Sequence, residues 1–527
     1  MWGKYPLYPY QMGAAETMAK SNVLLAYDMG TGKTPTTLAA VERMRQMGEI
    51  KKWGTVLVPA SLKYQWQGEI LKFTDQVGVV IDGTPNARRQ QYADLEATYP
   101  GYLIMSYDTW VRDIETMNPG PGVANGFMIL DEATAIKSFK AQRTKMLKKY
   151  RRQYDVRLAL SGTPIENGKL EEIYSILEWV DPTILPKWHH FEATHIKRNP
   201  MGWIDGYKNI DKFHRRIKPY VLRKTVDDPD VETYMPKVVH FPPFYVKMDA
   251  KTNTAYGWLA ADTLARLDEL SRSQSDRWKT VGAYADPDEN DPDHPDGELM
   301  ARIQVMRMLL DHPLSVLYSA ARYEDPDDSR GSAFAARIAT DGLLDDVVAT
   351  PKLDDVIGYL KDFFDAQSSD SKVVLFCSFV DVAKKISEAL PWQSVVFTGS
   401  MPPAERDRAK QRFVSDPDVK VFVSTDAGGY GLDLPQANLL INYDLPWQAG
   451  LLKQRNARIR RASSKWKHVF VQDFIVTNTI EERMAKMLRD KHALASGAID
   501  GTGITEDGLV PVEADSLRVF IEDLLGR

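Results

Sequence analysis

Short runs of β-branched and aliphatic residues recur twice along this chain, each run followed by a longer stretch of helical spacing, and that alternation admits few folds. The first series is Val23–Ala26, Thr55–Val58, Tyr102–Met105, Phe127–Leu130 and Val156–Leu160; the second is Val373–Phe376, Val395–Phe397, Val419–Ser424, Leu439–Asn442 and Val469–Phe474. Strands alternating with helices build βαβ units around a parallel sheet. Two such series in 527 residues, more than one hydrophobic core serves, predict an α/β protein of two tandem lobes. The expected division is a first lobe over residues 1–225, a helical insertion over 226–345, a second lobe over 346–495, and a linker with a terminal helix over 496–527. The insertion carries the acidic, Pro-rich string ADPDENDPDHPDGE, read as a solvated loop. SGAIDGTGITEDG reads as the linker, after which Leu517, Phe520, Ile521, Leu524 and Leu525 share one helix face.

Composition narrows the function classes. With 43% hydrophobic and 26% charged residues the chain is an ordinary globular mixture. Its formal net charge of −5 means that any surface for a polyanion must be a local concentration of Lys and Arg. The lone cysteine, Cys377, closes no internal disulfide, and no signal peptide or membrane-length apolar run is visible, so a cytoplasmic location without a membrane partner is expected.

The string VLLAYDMGTGKT followed by TLAAVERMRQM has the strand, Gly-rich turn and helix of a phosphate-binding loop. Met29, Gly30, Thr31 and Gly32 form the turn; Lys33 would meet the β- and γ-phosphates and Thr34 would offer its hydroxyl to Mg²⁺. Tyr27 stands where the general pattern has its first glycine. Downstream, the apolar run FMIL ends in Asp131 and Glu132, at the sheet edge where open α/β folds bind ligands. Asp131 is placed to hold Mg²⁺, and Glu132 to orient and deprotonate an attacking water. Upstream, the amide of Gln11 in PLYPYQ could read an adenine edge, with Tyr8 and Tyr10 nearby.

Further strings follow in order: VPASLKYQW, MSYD, DEATAIKS and LSGTPIEN, then VLFCSF, FTGSM, VSTDAGGYGLDL, INYDLPW and QRNARIRR. The series, from about residue 5 to 485, resembles the SNF2 family of superfamily 2 helicase-like ATPases, whose G-x-G-K-T turn the loop shares. The resemblance implies two RecA-like lobes and ATP with Mg²⁺ as cofactors. It implies that Gln454, Arg458 and Arg461 project from the second lobe onto ATP held by the first, with Arg461 as the arginine finger. It also implies that Ser161, Gly162 and Thr163 of LSGTP, and Thr425, Gly428, Gly429 and Gly431 of the glycine-rich loop, couple the nucleotide to DNA. Thr134, Ala457 and Asp433 depart from the usual histidine, glycine and asparagine.

Lys137, Lys140, Arg143, Lys145, Lys148, Lys149, Arg151 and Arg152 succeed the DEAT motif without an intervening acid, and a second basic stretch spans Lys453–Lys467. Both are read as phosphate contacts, Lys137 and Lys140 foremost. With no base-reading module in view, the expected partner is double-stranded DNA, forked or branched forms included, and the expected protein a compact monomeric motor of bacterial or viral type. A strand-separating DNA or RNA helicase and an ATP-gated clamp with little hydrolysis stay open as alternatives.

Overall fold

The computed structural model describes residues 4–50, 53–98, 101–116, 126–198, 204–277, 295–325, 328, 330–426, 432–502 and 525. The acidic string up to residue 294 and the glycines Gly428, Gly429 and Gly431 lie outside the described residues, as does the terminal helix face except for Leu525.

Two parallel sheets form the frame. In the first, the spatial order is Gly78–Val80, Tyr102–Ser106, Gly54–Val58, Gly126–Leu130, Tyr154–Leu160, Val23–Tyr27 and Val221–Lys224. In the second it is Lys237–His240, His468–Val476, Leu439–Asn442, Val373–Cys377, Val419–Thr425 and Gln393–Phe397, with Phe244–Val246 pairing at the far end of His468–Val476. Both faces of each sheet are covered, which is why these strands read as unbroken apolar runs. Successive residues point to opposite faces: Leu24 and Ala26 join one core of the first lobe, Val23 and Leu25 the other. Both RecA-like lobes and all ten strand runs read from the sequence are present.

Two boundaries differ from expectation. The stretch read as a helical insertion opens with Lys237–His240 and Phe244–Val246, which complete the second sheet, and its long helices Ala250–Arg277 and Pro295–Asp311 bury Leu259, Ile303 and Met306 in that lobe's core. These strands are short and edge-like, so their pattern is too brief to separate from coil. The string read as a linker is helical at its start: one helix runs from Ile480 to Asp500 and ends at Gly501, whose φ of +73° supplies the left-handed cap. Ile480, Met484 and Leu488 are buried in the core of the second lobe, whereas Leu494, Ala498 and Ile499 are buried in that of the first. The helix crosses from one body to the other.

The second lobe carries a buried charge cluster beneath its sheet. Lys352 Nζ donates to Asp311 Oδ1 at 2.8 Å and to Glu481 Oε1 at 2.6 Å, all three side chains being almost fully buried. Burial acts against charge here, but the two carboxylates more than offset it, and the Lys352 ammonium is held well above the usual lysine range. Because Asp311, Lys352 and Glu481 come from three helices, their pairing fixes the inserted helices to the body of the lobe. Lys352→Ala leaves two buried carboxylates without their cation and is expected to destabilise the second lobe by about 3–5 kcal/mol, read as a lower denaturant midpoint for that lobe's transition.

Candidate nucleotide site between the lobes

Three neighbouring strands of the first sheet deliver the first half of the site at their C-terminal ends. Val23–Tyr27 leads into the glycine turn, Gly126–Leu130 into Asp131 and Glu132, and Tyr154–Leu160 into Ser161, Gly162 and Thr163. Gly30 and Gly32 have φ of +80° and +85°, so the turn demands residues without a Cβ. The helix Lys33–Gln46 then starts with its free N–H groups around the turn.

Gln11 braces this loop. Its Nε2 donates to the Thr31 carbonyl at 3.0 Å, and its Oε1 accepts from the Tyr8 amide at 3.0 Å. The Tyr10 hydroxyl donates to the same Thr31 carbonyl at 2.9 Å. Both ends of the Gln11 amide are thus engaged by main chain, and the Oε1 atom keeps a second lone pair. Tyr8 and Tyr10 are stacked, with ring centroids 5.9 Å apart, and Tyr8 stacks on Tyr234 at 4.1 Å.

Lys33 Nζ donates to the Tyr27 carbonyl at 3.1 Å and lies 3.4 Å from where a Cβ on Gly162 would sit. Thr34 is half-buried in the first turn of the helix. Asp131 Oδ2 accepts from Trp66 Nε1 at 2.7 Å, and Oδ1 from the Glu132 amide at 3.0 Å, which leaves lone pairs for a cation. Burial raises its carboxyl pKa, while the indole and the Lys33 charge pull the other way. Glu132 has φ of +48°, a left-handed conformation that costs a non-glycine residue about 1–3 kcal/mol. Its buried Oε2 atom has no hydrogen-bond partner. Burial, and then the neighbouring Asp131, push its carboxyl pKa up, while the Lys33 and Arg458 charges pull it down.

The second half arrives from the other lobe. An ideal Cβ on Gly30 would lie 2.7 Å from Arg461 Nη1 and 3.0 Å from the Arg460 carbonyl, so the arginine segment packs directly on the glycine turn. Arg461 Nε donates to Asp433 and Nη1 to the Ala457 carbonyl. Arg458 donates to the Leu432 carbonyl at 3.2 Å, and its charge reaches Glu132, where it favours the carboxylate. Gln454 is buried with an unpartnered Oε1 and shares a cleft of about 1070 Å³ with Glu132. A Cβ on Gly450 would meet Glu166 Cγ at 2.9 Å and Thr163 Oγ1 at 3.2 Å, a second close approach of the lobes. Among the described residues, Glu132 Oε2, Gln454 Oε1, Thr163 Oγ1 and Thr425 Oγ1 are all buried polar atoms without partners. Glu132 Oε2 and Gln454 Oε1, one from each lobe and both lining the cleft, fit a polar ligand with its water. Ser161 is turned inward instead, where its Oγ accepts from the Thr163 amide at 3.1 Å and shapes the turn.

Among the described residues, four of the eight cations after DEAT pair with acids of the same lobe. Arg143 pairs with Asp108 at 2.7 Å, Lys148 with Glu178 at 2.6 Å and Lys149 with Glu115 at 2.6 Å. Lys137 pairs with Glu166 at 2.5 Å at the edge of the cleft, and Lys140 is exposed. The local count of cations is visible in the sequence; acids that come from other helices to meet them are not. Trp66, Asp28 and Arg223 are site residues that sequence reasoning misses. An indole N–H in VPASLKYQW needs a buried acceptor, yet nothing in the string names Asp131.

Comparison with known proteins agrees with this geometry. The model of the SNF2-related domain matches residues 11–289, and that of the helicase conserved C-terminal domain matches residues 352–463. An uncharacterized ATP-dependent helicase of Mycoplasma genitalium, MG018, is 26% identical over 479 residues, covering 89% of this chain and 40% of that protein. The ATP-dependent helicase brm of Drosophila melanogaster is 25% identical over 502 residues, covering 91% of this chain and 28% of its own length. The chain therefore spans less than half of these curated relatives. The solved Hef helicase domain of Pyrococcus furiosus superposes with a TM-score of 0.51 at 16% identity, covering 92% of this chain and 98% of that one, a likeness of fold.

Trp66→Phe keeps the ring and deletes the N–H that faces Asp131. We expect a stability loss of about 1–3 kcal/mol by denaturant unfolding, with the fold retained by circular dichroism.

Proposed function

The chain belongs to the SNF2-related family, whose model spans more than half of its 527 residues, and from that premise we propose that it is a DNA-stimulated ATPase that translocates along double-stranded DNA without base-sequence specificity. The observation that carries the reading is the split centre: Lys33, Asp131 and Glu132 on one body, Arg458 and Arg461 on the other, meeting at Gly30. ATP would be held by the turn Met29–Gly32 and by Lys33, with Mg²⁺ between Thr34 and Asp131. The cation, when bound, offsets charge on the phosphate oxygens. Glu132 orients the attacking water and accepts its proton at Oε2. Gln454 faces the same cleft and fixes the water or the terminal phosphate. Arg458 and Arg461 stabilise the charge that spreads over the phosphate oxygens in the transition state, a role suited to a planar guanidinium. Since neither body alone has a complete set, turnover is tied to the closed arrangement and each cycle to a relative movement of the lobes.

The duplex phosphates would run along the rim of the cleft at Arg406 and Lys410 of the second lobe, since Lys63, Lys137 and Arg143 on the first-lobe side are already paired with Asp82, Glu166 and Asp108. Arg406 Nε is a buried donor without a partner among the described residues, which favours a phosphate acceptor. Phosphate contacts of this kind carry no sequence information, and the consequence for DNA is torsion or displacement of bound proteins.

Duplex DNA is expected to raise ATP turnover many-fold over single-stranded DNA or RNA, and Glu132→Gln to abolish turnover while ATP still binds. Equal stimulation by RNA, or robust strand release from a tailed duplex without a reannealing trap, would count decisively against duplex translocation. Arg406→Gln combined with Lys410→Gln should weaken binding alike on unrelated duplex sequences and make the log–log salt dependence of affinity shallower by about 2.

A further inference from the structure

One carboxylate ties the phosphate-binding loop to both lobes. Asp28, between the end of its strand and Met29, is buried, with a side chain only 4% exposed. Its Oδ1 lies 2.7 Å from Arg223 Nη1 of the first lobe and 2.8 Å from Lys453 Nζ of the second, and its Oδ2 accepts from the Val226 amide at 3.3 Å. Burial alone would raise its pKa, but Lys453 and Arg223 hold it below the usual carboxylate range.

Arg223 is shared between two acids. While Nη1 grips Asp28 and the Ala26 carbonyl, Nε donates at 2.6 Å to Asp500 Oδ1. Asp500 is the last residue of the helix that leaves the second lobe's core at Leu488 and enters the first lobe's core at Leu494. The docked end is fitted closely: a Cβ on Gly168 would meet Lys491 Cγ at 3.2 Å, and one on Gly501 would meet His214 Nε2 at 2.9 Å.

We propose that Asp28, Arg223 and Asp500 are positioning residues that join the nucleotide loop to the docked end of this crossing helix, so that loop order and helix docking are set together. The proposal rests on the nucleotide reading of the loop. Its physical basis is linkage: a guanidinium with two carboxylates in a fixed fork cannot shift toward one without straining the other. Phosphates bound at Gly30–Lys33 fix the loop that carries Asp28, Arg223 is then fixed, and the end of the helix is held on the first lobe. By reciprocity, a loosened helix end must weaken nucleotide binding by the same factor. Lys453, whose side chain is 34% exposed, supplies the opposite-lobe contact to the same carboxylate, so the line also registers whether the lobes are apposed.

The test uses the full chain with Mg-ADP, following amide hydrogen exchange in the segment 489–501 together with ADP affinity. In the unaltered protein, ADP is expected to slow exchange there by roughly fivefold or more. Asp500→Asn should abolish that protection and weaken ADP binding by a similar factor while leaving the melting temperature within a few degrees; Asp500→Glu should restore both. In a double-mutant cycle, Asp28→Asn with Asp500→Asn should weaken ADP no more than the worse single variant. Binding of ADP with unchanged exchange at 489–501, protection that survives Asp500→Asn, or fully multiplicative losses would each overturn the linkage and leave the nucleotide site standing. Failure of ADP to bind the unaltered chain would overturn both.

Discussion

The contact on which the rest of this molecule depends is the seating of Arg461 on Gly30. It is possible only because the turn residue has no side chain and because its φ of +80° bends the backbone toward the other lobe. Further appositions surround it: Glu166 against Gly450, Lys453 on Asp28, Arg458 within electrostatic reach of Glu132. At this face the described contacts are made by glycines and charged side chains: Gly30 with Arg461, Gly450 with Glu166, Asp28 with Lys453. Such contacts break and re-form at low cost, whereas a fused apolar core would not, and this is what a cyclic motion requires.

The crossing helix Ile480–Asp500 complicates that picture usefully. It embeds one end in each core and so joins the lobes a second time, in addition to the segment before Lys237.

Much of this was legible from the chain. The ten apolar runs lay on their strands because a strand buried on both faces leaves an unmistakable signature, and the ordered motifs located Lys33, Asp131, Glu132, Gln454, Arg458 and Arg461 in one place. What escaped was relational. Arg143, Lys148 and Lys149 read as a basic patch in the sequence, and the fold brings Asp108, Glu178 and Glu115, remote in sequence, to pair with them. Gln11 offers an amide in the sequence, and only the fold shows that it also braces the Thr31 carbonyl. Arg223 carried no motif of its own and became visible only when Asp28 and Asp500 were found at its two ends. Residue type announces what a side chain can do; only the packed chain decides which neighbour it does it to.

Glu132 holds a backbone conformation that glycine or asparagine would adopt with less strain. On the proposed chemistry its presence therefore sets folding and turnover at odds at a single position, and only a demand for turnover opposes its replacement. In a lineage released from that demand, this is where decay should begin, and it would begin with a more comfortable fold.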